Sequence, residues 1–332
     1  MKPETQEIIL EKLKSVPMGS LEVQVHALEE HVGTSLQEHI KTELSGKGIM
    51  EIYPLYPSIE LSFFTICGTS PMFHHKALPD KLEINYCHQG RIGWDLRDVG
   101  SIYLGPGDCS LHPMACCANS VMNLPLGYYE GITICVDLKK LSEAPPELLL
   151  GTGITGQSLS QKFFQREAFI ALPASEQISG IFEALYTAPK QFQFAYYKLK
   201  VLELLLQLSH MPLPSGAQAS GYQSEQVETI RAMHDYMMDH LDQRLTIDEL
   251  SRQYHINTTT LKSVFKAVYG TSIAAHIKEH RMENAARALI GTRDSVASIA
   301  AAVGYENQSK FTAAFKETYG MLPTEYRKRQ NR

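Results

Sequence analysis

Side chains able to do chemistry fall into three groups in this 332-residue sequence. The first is Cys109, His112, Cys116 and Cys117, all within nine residues. Thiolate and imidazole at such short range could hold a soft metal, and thiolates could sense oxidants. The spacing is no standard zinc pattern, and no Lys or Arg stands between Arg97 and Lys139 to lower a thiol pKa. Buried, inert cysteine is the expectation, with these four as the candidates for a metal or redox role. The second group is Tyr86, His88 and Trp94, which pair apolar bodies with polar tips, as a small-molecule pocket requires. The third comprises two short polar sets. One is Thr258, Thr259, Lys262, Ser263 and Lys266; the other is Gln308, Ser309, Lys310, Thr312 and Lys316. Hydroxyl, amide and ammonium groups can meet base edges and phosphates in a major groove, or can simply form a solvated helix face.

The elements that must position the third group speak for the first of these alternatives, because they are made twice. Thr246–Gly270 and Ser295–Gly320 each begin with a hydroxyl N-cap before a short apolar segment, in which Leu250 matches Ile299. Each restarts at an asparagine cap, Asn257 or Asn307, and ends in Phe-Lys-x-x-Tyr-Gly. Thr246 with Glu249 forms a capping box, and Gly270 and Gly320 stand where a left-handed C-cap is wanted. Apolar residues Leu261, Val264, Phe265 and Val268, then Phe311 and Phe315, recur at helical spacing and leave the polar sets outward. Two helix-turn-helix units are the reading. Between them, Ser272–Gly291 predicts a connecting helix. A helix of about 20 residues spans roughly 30 Å. Successive major-groove entries on one face of DNA lie about 34 Å apart, so this helix could hold both units over adjacent turns.

These residues resemble the C-terminal DNA-binding domain of the AraC/XylS family of bacterial transcription regulators. The resemblance runs through residues 222–332. It is carried by Leu245-Thr246-Ile247-Asp248-Glu249-Leu250, Phe265-Lys266, Ile299-Ala300, Val303-Gly304-Tyr305, Asn307-Gln308-Ser309, Phe311, Phe315-Lys316 and the tail Tyr319-Gly320, Pro323-Thr324-Glu325-Tyr326-Arg327. It implies double-stranded DNA as partner, the ten polar residues above as contacts, and RNA polymerase as a further partner of an activator. One departure is Ala313, where the family often carries Arg; a bidentate guanine contact is absent there, which implies looser reading of the second half-site.

Net charge is −5, yet residues 222–332 carry 15 Lys and Arg against 13 Asp and Glu, so the field is least negative where DNA would lie. Arg327-Lys328-Arg329 and Arg332 add a basic tail. The opening Met1-Lys2-Pro3-Glu4 does not read as a signal peptide, and no apolar run reaches the ~20 residues of a membrane span. A cytoplasmic protein with free thiols, no membrane partner and no cofactor is expected.

Residues 1–48 read as a helical and irregular extension. Ile8, Ile9, Leu13 and Val16 share one face of a short helix, and His26, His31 and His39 fit no metal spacing. From 49 to 156 the pattern is of short strands and turns. Leu82, Ile84, Tyr86 and His88, then Ile92, Trp94 and Leu96, alternate around Gly90 and predict a hairpin with Tyr86, His88 and Trp94 inward. The turn Gly105-Pro106-Gly107-Asp108 resembles that of the cupin-like barrels that precede the DNA-binding domain in the same family. A cupin metalloenzyme is the rival reading, but it needs alternating His-x-His. Phe73-His74-His75 puts adjacent rings on opposite faces of a strand. The expected class is therefore α+β in two domains: an N-terminal cupin-like β-barrel with flanking helices, and a C-terminal all-α domain. Residues 157–210 read as a helical dimerisation segment, with Ile178, Ile181, Phe182 and Leu185 on one face and a wide stripe of Tyr197, Val201, Leu204, Leu205 and Leu208, broadened by Leu202 and Leu206. In the family such a helix commonly pairs regulatory domains, which implies a homodimer. Residues 211–221 read as a linker. The function expected is a non-enzymatic, sequence-specific regulator that answers to a small-molecule effector in the barrel. The alternative is a thiol or metal switch on the same DNA-binding domain.

Overall fold

A computed structural model describes residues 3–27, 41–43, 45–68, 72–74, 78, 80–96, 100–117, 120–164, 169–172, 174–213 and 222–330. The expectations placed on His31, His39, His75, Arg332 and most of the linker lie outside them. The chain forms two compact units, Glu4–Tyr222 and, chiefly, Gln223–Arg332. The first is β-rich and the second helical, an α+β protein of two units.

The N-terminal unit opens with α1 (Pro3–Lys12). Ile9, Leu13 and Val16 are buried against Tyr128, but Ile8 is 55% exposed and leaves the face predicted for it. The strands are β1 (Ser20–Val25), β2 (Lys41–Glu43), β3 (Lys47–Tyr56), β4 (Ile59–Cys67), β5 (Met72–His74) and β6 (Lys81–Gly90). Then come β7 (Ile92–Leu96), β8 (Gly100–Leu104), β9 (Cys109–Pro113), β10 (Val121–Asn123), β11 (Tyr128–Asp137) and β12 (Ile170–Leu172). One sheet runs β1-β3-β4-β11-β6-β9-β12; a second runs β10-β7-β8; β2 and β5 pair separately. Among the described residues β1 and β12 are open ends of the large sheet, so it does not close into a barrel. The expected hairpin of the 82–96 region is not formed either. Gly90, at φ +78°, sends the chain into the other sheet. There β7 pairs with β8 and β10, while β6 pairs with β9 and β11. The turn at 105–108 forms as its residues demand: Gly107 is left-handed and Asp108 Oδ2 accepts from the Gly105 amide at 2.8 Å.

The remaining helices of this unit are α2 (Leu138–Glu143), α3 (Gly156–Phe163), α4 (Glu176–Tyr186) and α5 (Gln193–His210). Ile178, Ile181, Phe182 and Leu185 of α4 join Tyr197, Val201, Leu202, Leu204, Leu205 and Leu208 of α5 in one core with Leu82, Ile84 and Ile132 of the large sheet. Leu206, expected to widen that stripe, is 44% exposed.

The C-terminal unit contains α6 (Ser224–Asp239), α7 (Ile247–Gln253), α8 (Thr258–Tyr269), α9 (Ile273–Gly291), α10 (Val296–Ala302), α11 (Gln308–Tyr319) and α12 (Pro323–Gln330). Its helices start where local chemistry satisfies their orphan amides. Thr246 and Glu249 close a capping box on α7, and Asn257 accepts from the Thr260 amide to open α8. Ser272, Ser295 and Asn307 cap α9, α10 and α11 in the same way. The N-terminal half of α9 buries Ile273, His276 and Ile277; its C-terminal half packs Met282, Ala285, Ala286 and Leu289 on Ile299, Phe311 and Phe315. No helix among the described residues is long and apolar enough to cross a membrane.

Candidate nucleic-acid interface

Two helices of the C-terminal unit present the polar sets. On α8, Leu261, Val264, Phe265 and Val268 are buried, so the opposite face carries Thr259, Lys262, Ser263 and Lys266 into solvent, with Thr258 half-buried at the first turn. On α11, Phe311 and Phe315 are buried; Gln308, Ser309, Lys310 and Lys316 are exposed, and Thr312 is half-buried. Ala313 is exposed on the same helix. Among the described residues none of Lys262, Lys266, Lys310 and Lys316 has an ion-pair partner, so their charge is available to a polyanion. Both helices end in a glycine at positive φ, +80° at Gly270 and +71° at Gly320, which stops each at the same length.

The turns before the two helices differ instructively. His255 takes φ +51°, and its counterpart in the second copy, Gly304, takes +80°. A left-handed residue is what the sharp reversal between the paired helices needs. Gly304 has a further reason to lack a side chain: a Cβ there would meet Leu241 O at 2.6 Å and the Arg281 guanidinium at the same distance. Arg281, from the middle of α9, donates to Leu241 O at 2.8 Å, Gln243 O at 2.6 Å and Gly304 O at 3.2 Å. One guanidinium thus ties the segment leading into α7 to the turn between α10 and α11. Arg327 does similar work for α12, donating to Leu289 O and Asp294 O. Arg281 was not legible from the sequence, and Arg327 was read only as part of a motif and a basic tail, since each acts across more than twenty positions on backbone carbonyls.

The other two candidate groups lie in the N-terminal unit. Tyr86 stacks on Phe182 with centroids 4.2 Å apart and donates to Glu183 Oε1 at 3.0 Å. Burial pushes its hydroxyl up to about 12. His88 stacks on Tyr186 at 4.0 Å, its Nδ1 2.9 Å from the same carboxylate oxygen. The structure brings these two together on Glu183. It puts Trp94 in a different cluster, with Phe169 and Ile66, where it is 4% exposed.

Strand alternation divides the cysteine group. Cys109 faces the main core with Leu111, whereas His112 lies on the other face. There Asn85 Nδ2 donates to His112 Nε2 at 3.0 Å, and His112 Nδ1 donates to Pro113 O at 3.2 Å. The ring stacks on Phe169, and Cys117 Sγ lies 3.7 Å from Nδ1. Burial raises the Cys109 and Cys117 thiols, the opposite of what a reactive thiolate requires. Glu83 Oε2 approaches His112 Nδ1 to 3.7 Å, and desolvation lifts that carboxyl to about 7.

Comparison with known proteins bears on the C-terminal unit. Residues 250–329 match the helix-turn-helix domain family model HTH_18. The HTH-type transcriptional activator RhaR of Mannheimia succiniciproducens is 27% identical over 103 residues, 31% of this chain and 37% of that protein. The right origin-binding protein of Escherichia coli is 32% identical over 104 residues, 31% of this chain and 36% of that protein. The chain thus matches little more than a third of the length of either relative. Among solved structures, the C-terminal domain of AraT, a response regulator from Geobacillus stearothermophilus, is 30% identical with a TM-score of 0.30, covering 30% of this chain and 84% of that one. Residues 250–329 are thus a helix-turn-helix domain of the AraC type.

Proposed function

We propose that the protein is a sequence-specific transcription regulator that binds double-stranded DNA through α8 and α11. The observation that carries this reading is the repeated outward face: two helices on matching caps, each offering hydroxyls and lysines without an ion-pair partner among the described residues, with the Gln308 amide added on α11. Thr258, Thr259, Lys262, Ser263 and Lys266 read one half-site; Gln308, Ser309, Lys310, Thr312 and Lys316 read the second, less stringently because Ala313 offers no donor. The N-terminal unit, a cupin-like fold in this reading, takes a small-molecule effector at the aromatic and histidine groups of β6. It performs no catalysis. A homodimer through the α5 region, contact with RNA polymerase as an activator, and a cytoplasmic location complete the proposal.

The test is fluorescence anisotropy of the full chain with promoter-length DNA fragments from its own genome, across a salt series. Lys262→Ala or Lys316→Ala at a phosphate contact weakens every sequence alike and lowers the slope of log K against log salt by about one unit. Absence of any fragment bound above random DNA at low salt would overturn the reading.

A further inference from the structure

We infer that His234, His276 and His280 form a binding site for a divalent first-row transition metal of the zinc type. Their candidate ligand atoms all lie within 4.8 Å of one another, and they are the one such group of three among the described residues. His276 and His280 stand four positions apart on α9, so they share a face one turn apart; His234 comes across from α6. His234 Nε2 and His276 Nε2 are 3.0 Å apart. At a tetrahedral centre with Zn–N near 2.0–2.1 Å, two ligand nitrogens sit about 3.3 Å apart, so the pair already stands close to metal-bridging separation.

The surroundings supply what a metal site needs beyond its ligands. Imidazoles that bind metal through one nitrogen almost always donate from the other to a carboxylate, a backbone carbonyl or water, which fixes ring orientation and basicity. Here Glu283 Oε2 lies 3.2 Å from His280 Nδ1, and Asp235 Oδ1 lies 3.5 Å from His234 Nδ1. Both leave Nε2 for an ion. Tyr269 stacks flat on His234 at 4.3 Å, and Phe265 packs edge-on to His276 at 5.4 Å, so both rings are held in place. His280, 30% exposed, and His234, 17% exposed, give an ion its way in and leave a fourth position open to water. A hydrogen bond within a buried imidazole pair accounts for His234 and His276. It does not account for the third imidazole or for carboxylates on the outer nitrogens of two rings. The all-imidazole set selects Zn²⁺, Co²⁺, Ni²⁺ or Cu²⁺ over hard ions such as Mg²⁺. Bound there, the ion would clamp α6 to α9 beside α8. The site stands whether or not the chain binds DNA.

The experiment uses the chelator-stripped full chain and CoCl₂. The expected result is one Co²⁺ per chain, displaceable by Zn²⁺, with the visible spectrum of a nitrogen and oxygen site and no sulfur-to-cobalt charge-transfer band. Glu283→Gln weakens binding ~10–100-fold, as loss of an orienting carboxylate does, and His280→Gln weakens it further. His276 is too buried for its replacement to be a safe test, whereas His280 sits at the edge, and circular dichroism verifies that each variant is folded. No stoichiometric binding, undiminished binding in folded His280→Gln, or a thiolate spectrum removed by cysteine replacement would each overturn the inference.

Discussion

Arg281 should hold the two halves of the C-terminal unit in register, and its removal gives a measurable cost. Its three donors meet Leu241 O, Gln243 O and Gly304 O at 2.8, 2.6 and 3.2 Å, and the guanidinium lies 5.8 Å from the Tyr305 ring centre. A hydrogen bond with a charged partner contributes ~1.5–3 kcal/mol when shielded and less in water. The Gln243 contact is exposed and discounts heavily, so Arg281→Ala is expected to cost about 2–4 kcal/mol. Lysine recovers only part of this, because an ammonium lacks the planar fork that reaches three carbonyls. The only tryptophan, Trp94, lies in the N-terminal unit, so the two units can be followed separately in the full chain. Tryptophan fluorescence follows the N-terminal unit; far-UV circular dichroism reports helices of both units, so the dichroism change that falls outside the fluorescence transition belongs to the C-terminal unit. At a slope of ~1–3 kcal/mol/M in urea, Arg281→Ala moves the transition of the C-terminal unit down by about 0.7–4 M and leaves the fluorescence transition in place. An unchanged helical midpoint would refute the bridging role, and equal movement of both transitions would refute its confinement to one unit.

At the matched turn positions, Gly304→Ala should cost about 2–4 kcal/mol, from left-handed strain plus the Leu241 O clash, while His255→Gly should be neutral or stabilising by up to ~1 kcal/mol; urea midpoints decide. Glu83, 13% exposed, has its folded pKa raised from 4.5 to about 7. The folded state therefore keeps a proton that the unfolded chain releases, and stability falls as pH rises from 4.5 through 7. Glu83→Gln should match the parent at pH 5 and exceed it at pH 8 by roughly 3 kcal/mol at most, read by Trp94 fluorescence in urea. Cys109→Ser should cost ~1–3 kcal/mol, with any regulatory response retained, because it puts a hydroxyl among apolar neighbours, whereas Cys117→Ser should cost less because His112 is there to meet the hydroxyl. A stable triple Cys109, Cys116, Cys117→Ser variant that loses its response would instead identify a thiol switch.

What could be read from the sequence was what is local. Thr246 caps because Glu249 is three residues away, and Gly270 and Gly320 end helices because glycine takes their left-handed φ without steric cost; no distant partner is consulted. The outward face of α8 follows from the period of Leu261, Val264, Phe265 and Val268 alone. The β unit resisted the same method. Alternation in 82–96 sets which side chains share a face of each strand, but not which strand is the neighbour. The partners of β6 lie as far on as Tyr128–Asp137, and Gly90 carries no mark of a change of sheet. Tyr86 and Trp94 therefore parted company. The histidine cluster was missed altogether: His276 and His280 stand four residues apart but drew no reading, and His234, 42 positions before His276, becomes their neighbour only when α6 packs on α9.

The unbroken run of α9 has a consequence for how this domain can vary. An insertion in a loop adds slack, but an insertion in α9 is a rotation. Each extra residue turns everything beyond it by about 100° and carries it 1.5 Å along the axis. One added residue would swing Met282, Ala285 and Leu289 off the core they share with Phe311 and Phe315. Seven would restore the facing to within ~20° yet displace the second half by about 10 Å, beyond the reach of Arg281. The length of this helix is therefore a phase setting between α8 and α11. Length changes belong in the turns at either end, while a spacing change in a bound duplex would have to be absorbed by twisting the duplex.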